Sequence, residues 1–223
     1  MNVKLFIEAI IKYLLGIILV GLLIFIPAGS LKYYNGLLFM GLLFIPMFFA
    51  GIIMMIKNPN LLKSRLNAKE NEKEQKNVVI LSSLMFTIGF IISGLNFRFN
   101  WYHIPNIVII ISSLIFIISY IMYAEVLKEN TFLSRTIEVK NNQKVIDNGL
   151  YGIVRHPMYL ITIFLFLSIP LILDSIISFL IFLIYPFIII KRINNEEKVL
   201  EENLVGYKEY KNKVKYKLIP HIW

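Results

Sequence analysis

Six apolar runs, at about 6–27, 36–56, 78–97, 105–127, 158–173 and 175–191, constrain this chain more than any other feature. Crossing about 30 Å of hydrocarbon takes roughly 20 apolar residues of helix. The first four runs reach that length; the last two are shorter and joined by Asp174-Ser175. Backbone groups in lipid have no water to bond and must be satisfied within the fold. Residues 57% hydrophobic and a mean hydropathy of +0.70 fit the same reading, since soluble domains stay near 45–50% apolar. The predicted fold class is all-α: a polytopic transmembrane helix bundle of about six spans, the last two a short hairpin, followed by cytosolic C-terminal amphipathic helices. Pro170 and Pro186 lie in or near that hairpin, which either crosses fully or re-enters. The first run, with Lys4 and Lys12 near its start, is too long for a signal peptide and has no clear cleavage site, so it reads as a retained helix.

Charge sets the orientation. The net charge is +9. Twenty-one of the 23 Lys and Arg fall in the N-terminus, the 57–77 loop, the 128–157 segment and the tail; only Lys32 and Arg98 lie in the other loops. With six spans, all four rich segments share one side, which the positive-inside rule makes cytosolic, with both termini inside. The expected location is a cytoplasmic membrane of bacterial type. The tail's excess charge suits anionic lipid headgroups. No nucleic-acid module accompanies it, so nucleic acid is not an expected partner. Trp101, Tyr102 and His103 in one outer loop, and Tyr33 and Tyr34 in the other, read as interfacial residues without chemistry.

The residues that can do chemistry sit at the two ends of the last hairpin. Before it stands Gly149-Leu-Tyr-Gly-Ile-Val-Arg-His-Pro-Met-Tyr159; after it stands Arg192-Ile-Asn-Asn-Glu-Glu197. A hairpin returns to the side it left, so Arg155, His156, Arg192, Glu196 and Glu197 can meet on one face of the bilayer. Pro157 suits a helix's first turn, where its missing N–H is no loss. Arg192 and Glu196 are spaced i,i+4 and face the same way, whereas Glu197 is rotated about 100° from Glu196 and reads as the lesser partner. Asn148-Gly149 is a turn signal beside Tyr151, a combination able to hold a flat heterocycle. In the tail, Val199, Leu200, Leu204, Tyr207 and Tyr210 recur near helical spacing with a break at Gly206; by composition this suits a helix on the membrane surface ahead of a cover over a cytosol-facing pocket. Ala68–Lys76 is a mixed-charge helix or linker. No cysteine is present, which excludes disulfides and thiolate sites, and no zinc signature, P-loop or dinucleotide fingerprint occurs.

In combination, Asn148–Tyr159, Arg192–Glu197, Val205-Gly-Tyr-Lys-Glu-Tyr210 and Leu218-Ile-Pro220 resemble the signatures of the isoprenylcysteine carboxyl methyltransferase family, which extends to phospholipid N-methyltransferase-like enzymes. Ser134–Val139 looks like the strand-like lead-in of bacterial members, and Lys57–Arg65 like their loop after the second span. The resemblance implies S-adenosylmethionine (SAM) as methyl donor and S-adenosylhomocysteine as product. It implies a cofactor cradle of Gln143, Lys144, Val145, Ile146, Tyr151, His156, Pro157, Met158, Tyr159 and Glu196. Arg192 would face the substrate, with Arg192, Glu196 and His156 as the catalytic set. Gln143 stands where the family often has histidine. The division implied is 1–127, transmembrane helices with a cytosolic loop, and 128–223, a methyltransferase core with its hairpin and tail.

The expected partners are membrane lipids and a lipophilic or amphiphilic methyl acceptor, a carboxylate of isoprenylcysteine type or another lipophile. Amine, phospholipid and small-thiol acceptors stay open. More distant readings are a sterol-reductase-like membrane enzyme and a non-catalytic binding module.

Overall fold

The computed structural model describes all residues but 1–2, 68–72, 135, 138 and 140–141. They form α1 (Val3–Ala28), α2 (Tyr34–Lys57), α3 (Pro59–Leu66), α4 (Lys73–Phe99), α5 (Asn106–Glu129), α6 (Pro157–Ile172), α7 (Ile176–Phe182), α8 (Tyr185–Asn203) and α9 (Tyr207–Lys213), with a 3-10 turn at Gly149–Gly152. No strand occurs among the described residues. The apolar runs are rich in isoleucine, a residue that favours strands in water. In hydrocarbon, the demand that each segment bond its own backbone outweighs that preference.

Five stretches are long and apolar enough to cross a membrane: α1, α2, Gln75–Phe99, α5, and α7 with α8 taken together as Ile176–Asn203; α6 is a shorter apolar helix. The six predicted spans thus correspond one for one to these helices, and the protein is a polytopic helical membrane bundle. The last is longer than its sequence pattern indicates, because α8 runs on past the apolar run to Asn203. A break at Leu183-Ile184 separates α7 from α8, just before Pro186 in the first turn of α8.

Burial sorts the helices. The most apolar window of α1 is 6% buried, against 33% for α4 and for α7–α8, so α1 is peripheral and α4 central. Phe39, Phe90, Phe116, Phe182, Ile172 and Ile193 form the middle of the core, with Phe86 edge-on to both Phe166 and Phe182. At the α1–α4 crossing the backbones nearly touch: a Cβ on Gly94 would lie 2.5 Å from the Ile24 carbonyl oxygen. Small residues permit such approaches in lipid, where packing rather than water release drives association.

The turn between α6 and α7 is fastened to the loop that follows α4. Asp174 takes a positive φ of 54°. Its carboxylate meets His103 Nδ1 at 2.7 Å and accepts from the Ile104 N–H, and its carbonyl accepts from Asn96 Nδ2 at 2.7 Å. The hairpin therefore spans from His156 at one end of the bundle to the 100–105 loop at the other. Tyr33 corrects its interfacial assignment: it is 2% exposed, stacks on Phe97 at 4.5 Å and donates its hydroxyl to the Leu173 carbonyl. A residue between two spans packs inward when the turn is short enough to draw it over the core.

Candidate functional site

The two ends of the hairpin do meet. α6 starts at Pro157 with His156 as its N-cap, and α8 carries Arg192 to Glu197 alongside. Around them opens a cavity of about 800 Å³, its open mouth included. Gln143, Lys144, Val145, Ile146, Tyr151, His156, Met158, Tyr159, Arg192 and Glu196 all line it. Pro157 does not; it is buried at the first turn of α6. The rest of the wall comes from Asn130, Phe132, Leu133, Ser134, Thr136 and Ile137 after α5, from Arg155, and from Leu200, Leu204, Tyr207 and Tyr210 of the tail.

Each wall has a local cause. The 3-10 turn is set by Gly149, whose φ is +55° and where a Cβ would fall 2.1 Å from Glu129 Oε1. The Glu129 carboxylate at the end of α5 occupies that space and accepts from the Leu150 N–H at 3.1 Å. Tyr151, 7% exposed, is thereby held at the cavity, and its carbonyl accepts from the Tyr210 hydroxyl at 2.8 Å. Burial pushes the Tyr151, Tyr207 and Tyr210 phenols up, so all three stay neutral at ordinary pH.

Two polar networks lie side by side. In the first, Arg192 Nε donates to the Tyr159 hydroxyl at 2.8 Å, and that hydroxyl donates to Glu196 Oε2 at 2.5 Å. The Arg192 guanidinium lies 5.8 Å from the Tyr159 ring centre. The i,i+4 pair anticipated from spacing is thus bridged by a tyrosine from α6. In the second, Glu197 Oε1 accepts from Arg155 Nε at 2.7 Å and lies 3.2 Å from His156 Nε2, while Oε2 meets Lys217 Nζ at 3.3 Å. Glu196 and not Glu197 is thus joined to Arg192, as the helical spacing indicates, while Glu197 has partners of its own. The 100° rotation that takes it away from Glu196 turns it into the protein, where it is 4% exposed and joins three basic side chains. Helical spacing shows which residues diverge but not what lies across from each.

Arg155 and His156 also pin the C-terminal tail. The Arg155 and His156 N–H groups donate to the Tyr216 and Lys217 carbonyls, each at 2.9 Å, and Arg155 Nη1 donates to the Val214 and Lys215 carbonyls at 2.6 and 2.8 Å. Leu204, Tyr207, Tyr210 and Val214 form one buried cluster with Leu200, Val139 and Val145. The apolar stripe of the tail therefore packs against the cavity wall, not on the membrane surface. Composition could not separate these, because both need the same stripe. Gly206 does break the tail helix, between α8 and α9. Of the strand-like lead-in, Arg135 and Glu138 lie outside the described residues, and Ser134, Thr136, Ile137 and Val139 are not in a strand. The charged run Ala68–Lys76 falls partly outside the described residues, and its last four residues open α4.

Arg65 on α3, far away in sequence, touches the rim. Its Nη1 donates to the Ser134 carbonyl at 3.1 Å, Nη2 donates to the Tyr123 hydroxyl, and the guanidinium lies 5.6 Å from the Tyr123 ring centre. Hydrogen bonds from a charged donor are worth about 1.5–3 kcal/mol each when lost from a protected position. Arg65→Ala is expected to speed amide exchange across residues 132–137 while α6 is unaffected. Exchange measured by mass spectrometry that stayed at the wild-type rate there would show that the rim holds itself.

Residues 108–202 match the isoprenylcysteine carboxyl methyltransferase (ICMT) family. No curated protein matches the chain.

Proposed function

We propose that this chain, ICMT-like over residues 108–202, is an integral membrane methyltransferase that takes its methyl group from SAM and delivers it to a lipophilic carboxylate at the cytosolic membrane face. The observation that carries the reading is convergence. Ten residues drawn from three separate sequence segments line one cavity, at the end of the bundle where the tail docks. The charge partition supports a cytosolic mouth, because the lining segments belong to the positively charged side.

The residues present fit the cofactor. The cavity carries an aromatic ring, Tyr151, and cations and one acid for an amino-acid group: Lys144 and Arg192 with Glu196. When bound, SAM supplies a methyl group already activated by its sulfonium. The protein's task is then alignment and exclusion of water, and alignment of reacting groups can be worth about 7–11 kcal/mol.

In this reading Gln143 to Ile146, Tyr151, His156, Met158 and Tyr159 hold the cofactor, and Glu196 accepts from its polar hydrogens. Pro157 starts α6 and so sets the direction of Met158 and Tyr159. Arg192, fixed through Tyr159, orients the acceptor; a guanidinium's planar fork matches a carboxylate. A carboxylate acceptor is favoured by how the candidate bases are engaged. His156 Nε2 faces Glu197 and Glu196 accepts from Tyr159, and a carboxylate requires no base because it has no proton to lose.

Calorimetry of S-adenosylhomocysteine binding to the detergent-purified protein tests the reading. Binding is expected in the wild type and weaker in Glu196→Ala and His156→Ala. Arg192→Ala should keep binding and lose transfer to acceptors in a labelled-methyl screen. Folded wild-type protein that bound no S-adenosylhomocysteine would overturn it.

A further inference from the structure

We infer that Lys217 is a positioning residue of the site: its ammonium fixes the Glu197 carboxylate, which in turn holds the His156 ring at the cavity. The inference rests on the methyltransferase reading, which sets His156 against the cofactor, and goes beyond it by giving a role to a residue outside the cavity wall.

Lys217 reaches His156 twice. Its backbone carbonyl accepts from the His156 N–H at 2.9 Å. Its side chain meets Glu197 Oε2 at 3.3 Å, and Glu197 Oε1 lies 3.2 Å from His156 Nε2. The main chain and the ring of one cavity residue are thus both tied to one lysine. His156 also stacks on Tyr159 at 5.7 Å, and Tyr159 bridges Arg192 to Glu196. A shift of the imidazole is therefore felt in the second network as well.

The carboxylate needs this third partner. A guanidinium beside a carboxylate commonly takes both oxygens through two parallel N–H bonds. Arg155 takes one: its Nε bonds Glu197 at Oε1, while Nη1 is spent on the Val214 and Lys215 carbonyls. Held by Oε1 alone, the carboxylate could turn about that bond and close onto the guanidinium. Lys217 holds the other oxygen, so Oε1 stays turned toward His156. The lysine is itself fixed. Nζ donates to Asn194 Oδ1 at 2.7 Å and lies 5.0 Å from the Trp223 ring centre, within the range of a cation–π contact. A lysine without such partners keeps its rotamer freedom and holds nothing in place.

The consequence for His156 is chemical as well as geometric. A carboxylate oxygen can only accept, so the ring nitrogen that faces it carries a hydrogen. In the neutral imidazole Nδ1 is then the acceptor. Without Lys217 the carboxylate turns away, and both tautomers are open to the ring.

Lys217→Met tests this, since it removes the ammonium and keeps the backbone carbonyl and an unbranched stem. The chain has three histidines, His103, His156 and His221. Nitrogen NMR of the full-length protein with isotope-labelled histidine therefore resolves each ring, and His156→Ala assigns the signals of interest. Spectra are taken in alkaline buffer, where imidazoles are neutral. We expect His156 in the wild type to be the Nε2–H tautomer alone, and in Lys217→Met to move toward the mixture of an unrestrained ring. S-adenosylhomocysteine should bind about tenfold more weakly to Lys217→Met, with Lys217→Arg restoring both spectrum and affinity. Asn194→Ala loosens the lysine from an exposed position without altering any charge. It should shift both readouts less and in the same direction, and it serves alone should Lys217→Met fail to fold. His156 signals that stay at their wild-type positions overturn the inference, as does wild-type affinity in variants whose His156 signals have moved. A lower unfolding temperature with spectrum and affinity unchanged makes Lys217 a structural residue only and overturns it too. Wild-type protein that binds no S-adenosylhomocysteine overturns instead the methyltransferase reading, while the histidine spectra still decide whether Lys217 governs His156.

Discussion

Glu197→Ala is expected to lower the unfolding temperature more than any other single change at this site. The carboxylate is 4% exposed and balances Arg155, His156 and Lys217. Its removal leaves a buried guanidinium without its counter-charge, which costs about 3–5 kcal/mol in comparable buried pairs. The damage should also spread along the chain. Arg155 holds the tail through the Val214, Lys215 and Tyr216 carbonyls, so a displaced Arg155 frees residues 214–223. Limited trypsin digestion reads this directly, with Lys215 and Lys217 cut early in the variant and late in the wild type. Glu197→Gln keeps the shape and one acceptor oxygen and should fall between the two. An unfolding temperature and a digestion pattern equal to the wild type in Glu197→Ala would show that solvent or another group already balances Arg155.

The second large effect is on turnover. Tyr159→Phe deletes the hydroxyl that accepts from Arg192 Nε at 2.8 Å and donates to Glu196 Oε2 at 2.5 Å. The ring survives, and with it the stacking on His156 at 5.7 Å and the contact beneath the Arg192 guanidinium. The change is therefore nearly pure in its chemistry. Arg192 loses the bond that aims it, and Glu196 loses a donor. A misplacement of about 1 Å in a positioned group can cost roughly 10²-fold in rate. A loss of that order in kcat is expected, with the unfolding temperature lowered by several degrees by the usual scaling. Single-turnover transfer to a carboxylate acceptor used by the wild type measures it. A kcat at the wild-type level would mean that Arg192 and Glu196 hold their places without the bridge.

The periodicity of hydrophobic residues carried the fold. Runs of about 20 apolar residues have one self-satisfied conformation in lipid, so helices and approximate spans follow without tertiary information. Where charges enter the pattern, the limits blur. α8 continues through Lys191, Arg192 and the glutamates to Asn203, because helical backbone bonding does not stop where hydropathy does. The hairpin made it legible that His156 and Arg192 share one end of the bundle, since a chain that leaves and returns must bring its ends level. Resemblance of motifs then named the residues that share the cavity.

What remained hidden in the sequence was decided by contacts between distant segments. Helical phase ranked Glu197 below Glu196 as the partner of Arg192, but it did not show what stands opposite Glu197: Arg155, His156 and Lys217. Tyr33 was placed at an interface by its position between two spans and is in fact sealed against Phe97 and Leu173. The apolar stripe of the tail fits a membrane surface and a cavity wall equally well, and only the presence of Val139 and Val145 beneath it selects the wall. By itself the sequence determined the membrane class, the helical spans and the end of the bundle at which the cavity lies, because these depend on local composition and chain connectivity. Tertiary structure alone decided that Tyr159 bridges Arg192 to Glu196 and that Glu197 joins Arg155, which holds the tail, because each depends on which side chain lies across a gap between helices.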